Sequence, residues 1–212
     1  MSLRLNGQLL LAGAIGAILS SLFSFLIPGP DGITGINSIP TNVVAVLSGL
    51  LLLAGLPALY RAQAKQVGIL GLVGVVLLWI AAVSNLLVLT GVQLLDLTMP
   101  GVIPHPGGHG PPPAAVIPAV LGGVLILIGG VIVGITTIRA HVFATAIGWV
   151  ILISSVLLIP MAFVSGDPNG LLGTILTNID FALFYAGLAW AGTTISFPVK
   201  PTQVSGSSVQ RN

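Results

Sequence analysis

Cysteine and glutamate are both missing from this chain, and charge of either sign is scarce: six Lys and Arg against four Asp in 212 residues. Without Cys there is no disulfide framework, no cysteine nucleophile and no thiolate site for zinc or an iron–sulfur cluster, and the redox compartment is left open. So few charges cannot clothe a water-soluble fold. At 55% hydrophobic residues and a mean hydropathy of +1.13, most of such a surface would stay apolar and aggregate. The calculated pI of about 9.5 rests on a small cationic surplus with no polybasic run, which gives nucleic acid no foothold as a partner.

Catalytic patterns are missing as well. There is no H-E-x-x-H, no G-x-S-x-G and no G-x-x-x-x-G-K-[ST]. No long apolar run contains His, which excludes a bis-histidine haem within a bilayer, and no buried Ser has a His or Lys partner at its depth. Asp180 has no second Asp with which to form a proteolytic pair. The chain is therefore expected not to be an enzyme and to carry no cofactor.

What the sequence does have is apolar runs of bilayer length. Residues 5–27, 43–60, 67–90, 114–138, 142–164 and 171–197 each read as a helix crossing a hydrocarbon core of about 30 Å. The first run is too long for a secretory signal and no small-residue cleavage site follows it. The expected fold is an all-α integral membrane protein, a single six-transmembrane-helix bundle over residues 1–197. Short links join the spans: a loop holding Asp31, the segment Arg61 to Gln66 as a second loop, a tight turn at Arg139-Ala140-His141, and a polar turn over 165–170. Residues 91–113 hold six Pro among several Gly and read as one long external loop, and 198–212 as a disordered tail. Arg4, Arg61, Lys65, Arg139, Lys200 and Arg211 fall on one side of this segmentation, and Asp31, Asp96 and Asp167 on the other. The positive-inside bias then puts both termini in the cytoplasm and the protein in a plasma or inner membrane.

Lipid supplies little hydrophobic drive between helices, so close backbone approach at small residues must hold such a bundle together. Gly13 and Gly16, Gly130 and Gly134, and Gly187 lie in small-x-x-x-small patterns and are the expected helix-packing positions. They could equally face a membrane-protein partner or a second copy of the chain. A weak internal repeat relates 46–55 to 120–129, each leading to an Arg-Ala pair, and its two copies would run parallel.

Polar residues within the spans concentrate toward one end. Ser20, Ser21, Ser24, Ser48, Ser84, Asn85, Ser154, Ser155, Thr174, Thr177, Asn178 and Asp180 mostly fall in the outer half of the bilayer. Asp180 is the charged residue set deep inside an apolar run, about 14 Å below the outer end of its helix. An Asp at a helix centre costs roughly 3 kcal/mol on an insertion scale, which the surrounding Leu, Ile and Phe offset. Two readings compete. In one, Asp180, Thr177, Asn178, Ser154, Ser155 and Asn85 form an outward-facing polar pocket with Asp180 as its floor. In the other, the hydroxyls satisfy backbone carbonyls and Asp180 is protonated and hydrogen-bonded.

The long loop carries His105 and His109 with Asp96 upstream, a weak copper or zinc ligand set lacking a third fixed ligand. His141, in the inner turn, is expected to contact headgroups or helix-end carbonyls. The leading functional expectation is a non-catalytic interaction or accessory subunit, or a sensor-like bundle, partnered by the lipid bilayer. The alternative is a small-molecule binder or transporter using the pocket at Asp180.

Overall fold

The computed structural model describes residues 2–26, 38–99, 101–104, 113–164 and 171–197. His105, His109, Asp31, Asp167 and the tail 198–212 lie outside the described residues, so the metal-site, loop and tail expectations on them do too. Among the described residues the fold is all helical, without a strand. Its elements are α1 (Leu3–Leu26), α2 (Ile39–Ala82), a π-helical stretch (Val83–Leu89), α3 (Thr90–Thr98), α4 (Pro113–Ala140), α5 (Thr145–Val164) and α6 (Leu171–Ser196). Among the described residues four helices are long and apolar enough to cross a membrane: Leu3–Phe23, the continuous stretch Ile39–Thr98, Ala114–Ala140 and Ile175–Ser196. The apolar helix Thr145–Pro160 is shorter.

The stretch Ile39–Thr98 is not one rod. Gly68 has φ 55° and ψ −147°, a conformation that breaks the helix and that a side chain would strain. The chain reverses there, and the limb 39–67 lies against the returning limb 69–98. Trp79 Nε1 donates to Leu53 O at 3.1 Å, and Gly49 faces Leu86 and Leu87. Leu53 is four residues before Pro57, which has no N–H to give its carbonyl. The indole from the opposite limb supplies the missing donor.

Three sequence expectations are corrected here. Arg61 to Gln66 is helix, not loop, because Ala, Gln, Lys and Arg are strong helix formers and the first residue able to turn the chain is Gly68. Gln63 is consequently a core residue, 1% exposed, whose amide Nε2 donates to Thr137 Oγ1 of α4 at 3.4 Å. Gly91 to Thr98 is helix as well. No Pro occurs in it, and α3 ends where Met99 precedes Pro100, the position at which the α conformation becomes crowded. Arg139 and Ala140 belong to α4, and the turn is 141–144, opened by His141 at φ 52°.

Local chemistry fixes the helix starts. Ser38 caps α2 with extended backbone, accepting from Thr41 N at 3.4 Å and sharing a 2.6 Å hydroxyl contact with Thr41 Oγ1, with Pro40 in the first turn. Ser20 of α1 donates to Thr41 O at 3.1 Å and so pins the end of α1 to the start of α2.

The helices close into a ring. α1 packs on the 39–67 limb, the return limb on α4, α4 on α5, α5 on α6, and α6 back on α1. Glycine stands at nearly every crossing. A Cβ on Gly13 would lie 2.7 Å from Leu52 N, on Gly74 2.7 Å from Ile132, on Gly134 2.8 Å from Leu152, on Gly187 2.8 Å from Ile151 and on Gly192 2.8 Å from Leu11 N. Gly16 meets Ser48, and Gly130 meets Ser155 and Phe184. All five anticipated packing glycines thus face helices of this same chain.

The ring's centre is filled by Leu52 and Leu56, Leu78, Ala81 and Ala82, Ile126, and Phe184, Tyr185 and Leu188, leaving a void of only about 20 Å³. Dispersion between these closely packed side chains holds the layer. Gly7 lies beside Ile195 and Ser196, Leu10 beside Gly55, and Gln63 beside Thr137. The start of α1 and the ends of the 39–67 limb, α4 and α6 therefore share one end of the bundle. Arg4, Arg61, Lys65 and Arg139 belong to that end.

Candidate functional site: a polar cavity at the far end of the ring

At the opposite end the ring opens into a cavity of about 460 Å³. α1 contributes Ser20 and Ser21, the 39–67 limb Thr41 and Asn42, α3 Thr90 and Gln93, and α6 Thr177, Asn178, Phe181 and Tyr185. Asn85, Leu86 and Leu89 come from the π-helical stretch, whose wider turn is held by Thr90: both its N–H and its hydroxyl, at 3.0 Å, donate to Asn85 O. Such π segments recur at functional sites because they redirect side chains out of the α register. Ser84 reinforces the placement by donating to Pro118 O of α4 at 2.8 Å, and the Asn85 side chain lies over Gly122, where a Cβ would displace it.

Among the described residues the wall is chemically neutral. No Asp, Glu, Lys, Arg or His of that set lines the cavity; the polar groups are amides and hydroxyls, and Ala17, Ala45, Leu86, Leu89, Ala119 and Phe181 supply apolar surface. Two polar atoms of the wall are buried without a hydrogen-bond partner, Asn42 Nδ2 and Thr177 Oγ1. Asn42 is 2% exposed. Buried donors are paired in the great majority of native positions, so two unmet ones on residues of the cavity wall mark places where something else bonds.

Of the six pocket residues named from sequence, the structure brings Asn85, Thr177 and Asn178 to this cavity and leaves the other three off its wall. Ser154 and Ser155 are buried in α5 and donate to their own helix, to Val150 O at 2.7 Å and Ile151 O at 2.6 Å. Asp180 is 2% exposed, and neither carboxyl oxygen has a partner among the described residues. The reason is angular. At 100° per residue, Thr177, Phe181 and Tyr185 share one face of α6, and Asp180 lies about 100° round from Phe181 on the side of Phe184 and Gly187. The pocket therefore does not have Asp180 as its floor; Leu86, Phe181 and Tyr185 border the apolar layer below. Tyr185 is fixed there by an edge-on contact with Phe184, ring centroids 5.6 Å apart.

Sequence reasoning did not assign Thr41, Asn42, Thr90, Gln93 or Tyr185 to the site. Asn42 had a readable signal, an amide at the mouth of an apolar run directly after a Ser-x-Pro-Thr cap. The same cannot be said of Thr90 and Gln93, whose placement depends on the π register. Among the described residues no group of three or more His, Asp or Glu could hold a metal ion.

Comparison of the chain with protein-family models, with curated proteins and with solved structures yields no match.

Proposed function

We propose that the protein is a six-span bundle of a cell membrane that binds a small molecule in an outward-facing cavity between α1, the 39–67 and 69–98 limbs, α4 and α6. The two limbs either side of Gly68 are each longer than the about 20 residues a bilayer core requires, and count as two spans. With α1, α4, α5 and α6 they make six. The described cations gather at the Gly68 end, which the positive-inside bias assigns to the cytoplasm together with both termini; Asp96 and the cavity then face outward.

The observation that carries the binding reading is the cavity itself: about 460 Å³, within the range of small-molecule sites, with convergent polar groups of which two lack partners. An accessory or interaction role drew its support from small-residue faces, and those faces are occupied by this chain's own helices. Ligand binding is the reading that the geometry favours. The test is native mass spectrometry of the protein purified in mild detergent. A small molecule should be retained on the wild type and absent from Ala119→Trp, which fills the cavity, while Asp180→Asn should retain it within about twofold. Loss of the ligand in Asp180→Asn, or its retention in Ala119→Trp, would sink the assignment of the site.

A further inference from the structure

The composition of the wall narrows what the cavity takes. Resting on the binding reading above, we infer that the ligand is an uncharged molecule with an apolar body and a carbonyl or hydroxyl oxygen, which accepts hydrogen bonds from Asn42 Nδ2 and Thr177 Oγ1.

Three observations carry this. The first is the pair of donors. Asn42, in the first turns of the 39–67 limb, and Thr177 of α6 come from different helices, line the same cavity, and each present a buried polar atom with no partner. An amide N–H can only donate and a hydroxyl can donate, so an oxygen acceptor serves both. The second is the absence, among the described residues, of any Asp, Glu, Lys, Arg or His side chain lining the cavity. A carboxylate or ammonium entering this space would give up its hydration without a counter-charge, and such a charge is strongly rejected by a low-dielectric site. The third is the apolar part of the wall. Ala17, Ala45, Leu86, Leu89, Ala119 and Phe181 offer contact with no hydrogen-bonding side chain beside the amides and hydroxyls, which suits a hydrocarbon or ring body carrying a polar head.

Neutral membrane lipids and free apolar amides or alcohols share this chemistry. Equal-length probes separate the head-group question from the body: decanamide, decanoate and decylammonium, titrated against the full-length protein in mild detergent and read by native mass spectrometry. Decanamide is expected to bind one per chain and at least about tenfold more tightly than either charged probe. Asn42→Ala and Thr177→Val should each weaken decanamide by about five- to tenfold, the worth of one hydrogen bond. Their melting temperatures should hold or rise, because each removes an orphaned polar group; a merely structural role would lower them. Either source should travel with the wild type and be displaced by decanamide: a lipid source shows as neutral membrane lipid in the displaced material, a free source as a non-lipid amide or alcohol.

Failure separates cleanly. If decanoate or decylammonium binds as well as decanamide and Ala119→Trp abolishes that binding, the cavity stands and the uncharged class is overturned. If the Asn42 and Thr177 variants bind decanamide like the wild type, the donor assignment is overturned. If no probe binds the wild type, or Ala119→Trp binds them all unchanged, the cavity reading falls and this inference with it.

Discussion

At the scale of single residues, the most informative contact joins Trp79 to a carbonyl that a proline has left idle. Pro57 deprives Leu53 O of its helical donor, and the Trp79 indole, 3.1 Å away on the return limb, replaces it. Trp79→Phe should therefore destabilise the protein by about 1–2 kcal/mol. In a Pro57→Ala background, where the alanine's backbone N–H restores the helical bond to Leu53 O, the same substitution should cost close to nothing. Reversible unfolding in detergent of the four proteins of this cycle measures the coupling. Equal costs in both backgrounds would show that the indole acts only by its bulk. The proline and its orphaned acceptor four residues earlier can be read from the sequence; the identity of the replacement donor cannot, because it depends on where the chain reverses. Asp180 is the converse case. Its burial could be inferred from the apolar run around it, but which side of α6 faces the cavity is set by its neighbours, and the acid falls on the other side.

At the scale of elements, Gly68 decides the topology of the central hairpin. Nothing lies within 4 Å of where its Cβ would be, so any penalty at Gly68→Ala comes from the backbone conformation alone. That substitution should cost about 1–3 kcal/mol. Gly91→Ala is the matched control. It too has open space, but in helical backbone, and it should stabilise by about 0.5–1 kcal/mol. Thermal melts of the two variants should move in opposite directions. Apolar length and proline placement made the helices other than α3 legible from sequence. The reversal point was not, because Arg61 to Gln66 is polar enough to suggest a loop and its helix-forming tendency wins. The extension through α3 was masked by the Gly and Pro that follow it, and the π register has no periodic signature of its own.

At the scale of the whole molecule, composition alone carried the class, since a chain with ten charged residues and long apolar runs has no other stable way to bury itself. The ring closure of α6 on α1 was not readable, because small residues occur on several faces of each helix and their partners are fixed only when all the helices are assembled. The absence of Cys makes the wild type a ready background for testing the proposed orientation. Lys65→Cys should react with an impermeant maleimide only in inside-out vesicles, and Asp96→Cys only in intact cells. Labelling of both from the same side would refute the two-span hairpin.

The central layer of Leu52, Leu56, Leu78, Ile126, Phe184 and Leu188 also bounds what can pass through the ring. A void of about 20 Å³ between these side chains admits no continuous file of water. An ion placed there would pay the Born cost of a dry interior. The layer thus parts the polar cavity from the end of the bundle that carries Arg4, Arg61, Lys65 and Arg139.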